Sequence, residues 1–428
     1  MTICLINPPS PWAAEPAMDV NLGLCYVSAA LKYGGYPVQG VDFGAIENDY
    51  SKRDYLVQIP SLSAVYGIYC MSVQFKWVKE MCQFIKKYHP NPHVKIFIGG
   101  PHATCCPDDC FAIGADYVVK GPGAFAINDV LSGVVGRLYE AALMPDRSIF
   151  DQFEYHRTIN GERAFHIVTL RGCPYSCRYC DKESVGREVH YHPIECVLEE
   201  IDLLMERYKT RSFVIYDDIF TLKRKRLETF CSEFKKRNLQ WRCWARADLV
   251  DEPMLQMMKD SGLTSITFGI ESGDDNVLKR IGKRITAKAN YAALLTCKKV
   301  GIPVRCSLMY GNPGENYVSL TNTIEMVRFC QPEEWNLSIL SPTPGSAFWD
   351  FPEKYGLRFD KQAIIDGDYQ ILNRFQDTGI GNIIVSIDSC PDDELEAMLP
   401  WFVESLESVC PRKQIQDTIQ NIKIGGMK

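Results

Sequence analysis

The first third of the chain alternates short apolar runs with longer stretches in which apolar residues recur at helical spacing. Turn signals such as Pro-Pro and Gly-Gly close several of the runs, as is typical of buried strands. The segments read, in order, TICLINPP, NLGLCYVSAALKYGGY, PVQGVDF, AVYGIYCMSV, WVKEMCQFIKKYH, VKIFIGG and ADYVVKGPGAF. This alternation predicts an α/β domain over residues 1–135, with a doubly wound, Rossmann-like parallel sheet.

In such a sheet, ligands bind beyond the carboxyl ends of the strands. Here those ends carry turn-rich loops, in which glycine lets the backbone approach a ligand closely. The residues predicted to face a ligand are Asn7, Pro8, Ser72, Gly99, Gly100, Pro101, His102, Gly121 and Gly123.

A less regular, polar connector spans residues 136–163, and the alternation restarts at FHIVTL. Strands are predicted near residues 165–170, 212–216, 241–245, 265–270, 303–309 and 335–340, with helical patterns between them. Six βα units predict a partial or full barrel over residues 164–350 and do not settle its closure; we expect the partial (β/α)6 form. A mixed C-terminal region, 351–428, contains one amphipathic helix, DDELEAMLPWFVESLESV.

Composition narrows the class of protein. The 428 residues are 46% hydrophobic and carry a formal net charge of -6, with both signs mixed along the chain. That balance argues against a nucleic-acid scaffold or an electrostatic membrane binder, and it indicates no nucleic-acid partner. The N-terminus has no basic leader, and no apolar run is long enough to span a membrane. We therefore expect a soluble, cytoplasmic protein.

Most of the 18 cysteines lie singly in apolar stretches, where cysteine behaves as a small hydrophobe. The stretch RGCPYSCRYC differs, because it spaces Cys173, Cys177 and Cys180 as Cys-x3-Cys-x2-Cys after a predicted strand. A structural zinc site wants four ligands, usually in two separated pairs, and no second pair is present at a matching distance. Runs of this kind hold iron–sulfur clusters. Three thiolates on a four-iron cluster leave one iron open to another ligand.

The same stretch resembles the signature of the radical S-adenosylmethionine superfamily, with aromatic Tyr179 before the last cysteine. The resemblance implies a 4Fe–4S cluster whose open iron is chelated by S-adenosylmethionine. One electron from the cluster then gives methionine and a 5′-deoxyadenosyl radical. The strand-end motifs VIYDDIFTL, WRCWARADL, ITFGIESGDDNVLKRIGK, SLMYGNPGE and LSPTPGS resemble those of the family and follow its order. The resemblance implies that S-adenosylmethionine contacts Tyr179, Asp217, Asp218, Arg246, Glu271, Lys283, Gly311 and Pro344. For either aspartate the alternative is a helix N-cap.

The segments NLGLCYVSAAL, VKIFIGGPHAT and ADYVVKGPGAF resemble the cobalamin-binding branch of this superfamily, which adds Asn21 and Gly23 to the expected corrin contacts. An Asp-x-His-x-x-Gly box is absent, which implies a cobalamin without a histidine ligand (His-off). Both acidic positions of the family's Arg-Gly-Glu-Gly-Glu loop are lost in Lys120–Ala124. The alternative is a domain that keeps the fold without binding corrin. A second cluster at CCPDDC is disfavoured, because adjacent cysteines cannot easily ligate one cluster.

The resemblance implies a cobalamin-dependent methyltransferase. The adenosyl radical would take hydrogen from an unactivated carbon, and the substrate radical would collect a methyl group from methylcobalamin. The alternative is a rearrangement, ring contraction or cyclisation with the same cofactors, and a non-catalytic carrier or iron–sulfur sensor is a further one. We expect a small-molecule or natural-product substrate and an external electron donor such as flavodoxin or ferredoxin. The site should lie between the two domains.

Overall fold

A computed structural model describes residues 2–10, 17–46, 53–123, 144–365 and 385–411. The predicted end of the first domain at residue 135 and the first part of the connector, 136–143, lie outside the described residues. So do Ala124 of the loop Lys120–Ala124 and residues 366–384 and 412–428 of the C-terminal region.

The first domain is a five-stranded parallel sheet, as the alternation of the sequence predicts. The strands lie side by side in the order β2-β1-β3-β4-β5, and the order reverses beside β1. The strands are β1 Ile3–Asn7, β2 Val38–Asp42, β3 Val65–Tyr69, β4 Lys95–Gly99 and β5 Tyr117–Val119.

Helices cover both faces of this sheet because successive strand residues point to opposite sides. Cys4 and Ile6 of β1 join the buried cluster on the side of α2, whereas Ile3 and Leu5 join the cluster on the side of α1. The helices are α1 Leu22–Tyr33, α2 Phe75–Tyr88, α3 Pro101–Cys105 and α4 Pro107–Ala112. Helix α1 begins at Asn21, whose side chain accepts a hydrogen bond from the backbone N–H of Leu24.

The second domain is a seven-stranded sheet in the order β14-β13-β12-β11-β10-β7-β6. Six strands are parallel, and β6 adds an antiparallel edge next to β7. Because β7 and β14 do not pair, the barrel is partial, as predicted. The strands are β6 Thr158–Ile159, β7 Glu162–Ile167, β10 Ser212–Ile215, β11 Gln240–Ala245, β12 Leu263–Glu271, β13 Val304–Tyr310 and β14 Glu334–Ile339.

A helix lies between each pair of consecutive parallel strands of this sheet and packs on its convex side. Large side chains fill that contact, among them fully buried Phe213, Trp241, Phe268 and Trp335. The helices are α6 Ile194–Tyr208, α7 Arg224–Lys236, α8 Glu252–Asp260, α9 Asp275–Arg280, α10 Ala287–Val300 and α11 Tyr317–Cys330.

Short elements complete the described chain. The cysteine-containing loop carries β8 Leu170–Arg171, α5 Lys182–Val185 and β9 His190–Tyr191, and the C-terminal region carries α12 Ala347–Asp350, β15 Leu357–Arg358, α13 Lys361–Ile365, β16 Ser386–Ile387 and α14 Asp392–Val409. The amphipathic α14 packs on the barrel, where the Tyr310 hydroxyl donates to the Leu395 carbonyl at 2.5 Å. Among the described helices, none combines the length and apolar character that a membrane span requires.

Candidate active site between the two domains

The three motif cysteines lie on one closed loop after the first parallel barrel strand. We call residues 172–189 the cysteine loop. Its ends are tied by an antiparallel pairing of Leu170 with Tyr191 and of Arg171 with His190. Gly172 has a φ of +92°, and a Cβ there would collide with the carbonyl group of Glu188. Only glycine therefore lets the two arms of the loop approach this closely.

The thiols of Cys173, Cys177 and Cys180 are half-buried. Burial raises the pKa of Cys180 to about 11; Lys182 opposes this shift, and the other two thiols add to it. The loop contains no fourth cysteine and no histidine. A structural zinc site usually has four ligands, so the three thiols fit an iron–sulfur cluster with one open iron better.

A buried acid–base group stands beside the loop at the end of β12. The Lys283 ammonium donates to the Glu271 carboxylate at 2.7 Å, and the Tyr179 hydroxyl donates to the same oxygen at 3.1 Å. Only 12% of the Glu271 side chain and 4% of the Lys283 side chain are exposed. Glu271 has a φ of +63°, at a bulge in the pairing of β12 with β13. This strained backbone turns the carboxylate towards the loop.

Arg246 links this group to the cysteines from the end of β11. Its guanidinium donates to Asp248 at 3.0 and 3.1 Å and to the Lys283 carbonyl at 3.0 Å. The Arg246 guanidinium also lies 3.9 Å from the Cys177 sulfur and 3.7 Å from the centre of the Tyr175 ring. Tertiary structure thus gathers residues from the ends of β11 and β12 around the cysteine loop.

The two adjacent aspartates after β10 have different surroundings. Asp217 is buried, and its carboxylate accepts hydrogen bonds from the Thr169 N–H at 2.5 Å, the Thr169 hydroxyl at 2.5 Å and the Leu170 N–H at 3.1 Å. Burial outweighs these donors and raises the pKa of Asp217 to about 7. Asp218 accepts from the Gly172 N–H at 2.9 Å and lines the cavity between the domains. Of the two carboxylates, that of Asp218 is therefore the one that a molecule in the cavity can reach.

The last two motif turns brace the site from β13 and β14. Gly311, with a φ of +82°, donates its N–H to Glu315 at 2.7 Å, and burial raises the pKa of Glu315 to about 8. Gly345 follows Pro344 and has a φ of +83°, and a Cβ there would meet Asp181 and Cys105. The sixth-strand turn therefore packs where the cysteine loop meets α3 of the first domain.

A cavity of about 510 Å³ opens between the cysteine loop and the first domain. On the loop side it is lined by Arg171, Asp218 and residues 183–188. On the sheet side it is lined by the ends of β3, β4 and β5 and by one face of α1. Six residues predicted to contact a corrin line it, namely Gly23, Gly99, Gly100, Pro101, Gly121 and Gly123.

The other five predicted corrin contacts do not line this described cavity. The Asn7 side-chain amide donates a hydrogen bond to the Asp42 carboxylate at 2.8 Å, and its oxygen accepts one from the Asn21 amide at 2.9 Å. The backbone carbonyl of Pro8 accepts from the Gln74 amide. His102 is fully buried and lies 3.0 Å from the Ser72 hydroxyl, and burial lowers its pKa to about 4. The His102 ring packs against Phe75 at the start of α2, with 4.5 Å between the ring centres.

Sequence reasoning missed several cavity residues. Tyr26 lies on α1, and the Arg171 guanidinium is 4.5 Å from the centre of its ring. Tyr26 carries no local motif, and only helical spacing from Gly23 could have indicated it. Arg171 directly precedes Gly172, the first residue of the cysteine loop, so its position next to the loop could have been predicted. The residue types of the segment 183–188 do not indicate that it lines a cavity.

Two family models match the chain. The radical SAM superfamily model matches residues 167–327, which include the cysteine loop and strands β10 to β13. The B12 binding domain model matches residues 19–131, which include the glycine-rich strand ends.

Comparison with known proteins gives relatives that span most of the chain. An uncharacterized methyltransferase of Pyrococcus horikoshii is 25% identical over 397 residues, 82% of this chain and 83% of that protein. The anaerobic magnesium-protoporphyrin IX monomethyl ester cyclase of Rubrivivax gelatinosus is 23% identical over 380 residues, 80% of this chain and 67% of the cyclase.

A solved structure shares the fold. It is the radical S-adenosylmethionine methyltransferase TsrM from Kitasatospora setae with cobalamin and a 4Fe–4S cluster bound. It superposes with a TM-score of 0.70 at 15% identity, over 95% of this chain and 88% of that chain. The two matches are in agreement with the two-domain fold: this chain carries a radical SAM domain, preceded by a B12-binding domain.

Proposed function

We propose that this chain is a cobalamin-dependent radical SAM methyltransferase that acts on a carbon atom of a small molecule. The observation that carries the proposal is the shared cavity, which the glycine-rich strand ends of one domain and the cysteine loop of the other enclose together. The loop residues on its wall, 183–188, begin three positions after Cys180, so cofactors held by the two domains would lie next to this cavity. The similarity to the methyltransferases of Pyrococcus horikoshii and Kitasatospora setae supports the same function.

The donor set of the cysteine loop fits a 4Fe–4S cluster. Cys173, Cys177 and Cys180 would hold three irons, and the loop contains no fourth cysteine and no histidine. S-adenosylmethionine, as cosubstrate, would bind beside the cluster. Glu271 and Lys283 present a carboxylate and an ammonium to its polar groups, and Arg246 supplies a cation at the cluster edge.

The sheet side of the cavity fits the flat face and tail of a corrin. Gly67 in β3, Gly99 in β4 and Gly121 just after β5 line the cavity and leave space that side chains would otherwise fill. A Cβ at Gly67 would approach Leu5 to 2.7 Å. His102 points to Ser72 and Asp109 instead of the cavity, so we propose a cobalamin without a histidine ligand.

When bound, the cluster supplies the electron that cleaves S-adenosylmethionine, and the corrin supplies the methyl group. The chain's own residues position and shield the reactants. Asp218 holds the start of the cysteine loop through the Gly172 N–H, and Arg171 with Tyr26 closes the cavity beside it. Buried Glu271 and Lys283 keep a fixed charge pair in a site that water enters poorly, where electrostatic orientation is strongest.

A small-molecule substrate fits the concave face of the barrel. Trp244 stands on the side of β11 opposite the buried Cys243 and Ala245, and its ring lies 4.7 Å from Tyr216. Such a pair offers a surface for a flat apolar group. We further propose that a flavodoxin or ferredoxin reduces the cluster from outside.

The products test this function. We expect anaerobically reconstituted protein with hydroxocobalamin, a reductant and S-adenosylmethionine to form 5′-deoxyadenosine. With the right substrate, S-adenosylhomocysteine should appear in a one-to-one ratio with methylated product. The cyclase of Rubrivivax gelatinosus supports the alternative, a cyclisation or rearrangement with the same cofactors. That alternative predicts 5′-deoxyadenosine without S-adenosylhomocysteine.

Gly100→Ala is expected to reduce the cobalt content of the purified protein several-fold. Gly100 has a φ of +106°, and a Cβ there would lie 2.9 Å from both the Cys70 carbonyl oxygen and the Tyr69 ring, which lines the cavity. Gly114→Ala is the matched control, because Gly114 has a φ of +108°, lies outside the cavity and has open space around it. Backbone strain of about 1–3 kcal/mol applies to both variants. Equal cobalt loss in the two would place the corrin elsewhere.

A further inference from the structure

A second group of metal-ligand side chains lies on the first domain, at the junction of α3 and α4. Nitrogen, sulfur and oxygen atoms of His102, Cys106 and Asp109 all lie within 4.8 Å of one another. Among the described residues, this is the one group of three such side chains that could share a single ion. It does not include the cysteine loop.

Local geometry brings the three together. His102 and Cys106 are one helical turn apart, and the Cys106 N–H donates to the His102 carbonyl at 2.7 Å. Asp109 follows three residues later in the first turn of α4, on the same side of the junction. The break between the helices at Pro107 lets the two turns converge.

His102 points a buried, unpartnered nitrogen into this group. Its side chain is fully buried, and Nε2 makes no hydrogen bond. The closest acid oxygen, on Asp109, is 3.6 Å from Nε2, beyond hydrogen-bond distance. Nδ1 lies 3.0 Å from the Ser72 hydroxyl. A histidine that binds a metal commonly uses its other nitrogen in this way, which fixes the ring and directs the free lone pair.

We propose that His102, Cys106 and Asp109 bind a thiophilic divalent cation, of which Zn²⁺ is the best match. Imidazole, thiolate and carboxylate are the ligands that zinc takes in proteins. One thiolate and one carboxylate balance the two positive charges, and the thiol proton leaves to solvent on binding. Cys106 and Asp109 are half-exposed, so water can complete the tetrahedron.

The neighbouring cysteines are not part of the site. The Cys105 sulfur lies 3.5 Å from Asp181 of the cysteine loop, and Cys110 is buried in the core against α2. Cys105, Cys106 and Cys110 therefore lie in three different surroundings. The bound ion would lock α3 to α4, and α3 also lines the inter-domain cavity through Pro101 and Thr104. We infer a site that stabilises the cavity wall next to the cysteine loop.

Zinc content of the full-length, anaerobically reconstituted protein tests the proposal. The probe is Zn²⁺ itself, in competition with a chromophoric chelator, with zinc, iron and cobalt counted together by mass spectrometry. Wild type should hold one zinc per chain. Asp109→Asn and Cys106→Ser should weaken zinc binding at least about tenfold, since even lost outer contacts have such effects. Asp108→Asn and Cys105→Ser are the matched controls and should bind zinc as wild type does.

Iron and cobalt should stay at wild-type levels in all four variants, which separates zinc loss from unfolding and from any failure of the proposed function. The zinc absorption edge should report one sulfur neighbour in wild type and none in Cys106→Ser. The proposal is overturned if wild type binds no more zinc than Asp109→Asn. It is also overturned if the control member of either pair loses zinc equally, or if the edge shows no sulfur.

Discussion

Cys177→Ala is expected to abolish the iron–sulfur absorbance of the anaerobically prepared protein and to reduce 5′-deoxyadenosine formation to the protein-free background. The reason is the donor count. Three thiolates are available in the cysteine loop, and two cannot hold a cluster that already leaves one iron without a protein ligand. Cys173→Ala and Cys180→Ala should give the same result. Iron analysis and a single-turnover assay with S-adenosylmethionine measure both effects.

The fold should survive this substitution, because Cys177 is only half-buried and the contact of its thiol with Arg246 is long, at 3.9 Å. Cys196→Ala is the matched control, since Cys196 is another half-buried thiol, on α6 outside the cysteine loop. It should retain full iron and full activity. Full iron in Cys177→Ala, or zinc in place of iron in wild type, would falsify the ligand assignment.

Glu271→Gln is expected to slow S-adenosylmethionine cleavage about ten- to a hundredfold, which matches the loss of one charged hydrogen bond. The substitution keeps the shape of the side chain and removes the charge that pairs with Lys283 at 2.7 Å. The cluster should form normally, because the Glu271 carboxylate accepts its hydrogen bonds from Lys283 and Tyr179 and is not one of the three thiol ligands. Iron content and the spectrum of the reduced cluster, with and without S-adenosylmethionine, provide the comparison.

Glu325→Gln provides the control for this experiment. Glu325 also forms an ion pair, with Arg328 on α11, but 49% of its side chain is exposed and it lies outside the site. Exposed pairs of this kind contribute little, so cleavage should be unchanged. If Glu271→Gln cleaves at the wild-type rate, Glu271 does not bind the cosubstrate. If it loses iron as Cys177→Ala does, its role is to maintain the loop.

The fold was largely predictable, because its signals are local and repeated. The predicted strand at residues 212–216 is Ser212–Ile215 in the structure, and the one at 303–309 is Val304–Tyr310. Both stretches are apolar runs that end in turns, and burial on both sides favours such runs as parallel strands. The sequence could not decide whether the barrel closes. Closure depends on whether the first and last strands meet, and no stretch of residues encodes that contact alone.

The site was predictable to different degrees. Cys173, Cys177 and Cys180 follow from spacing, since a short loop confines all three sulfurs whatever surrounds it. The two aspartates after β10 look equal in sequence, but the structure commits the carboxylate of Asp217 to Thr169 and leaves Asp218 at the cavity. Both residues lie beyond the end of the strand, so the contacts of the surrounding loops, and not strand alternation, set the direction of each carboxylate.

The order of residues by itself determined the two-domain plan, the three-thiol loop and the glycine-rich strand ends, because each depends on chemistry within a few positions. Only the tertiary structure decided which of those parts meet. It set Glu271 against Lys283 and Tyr179, placed Arg171 beside Tyr26, and turned His102 from the cavity towards Cys106 and Asp109. Most of these contacts join residues that lie far apart in the chain, and the others depend on the direction of a side chain. Packing and the burial of charged and polar groups decide which of the possible contacts form.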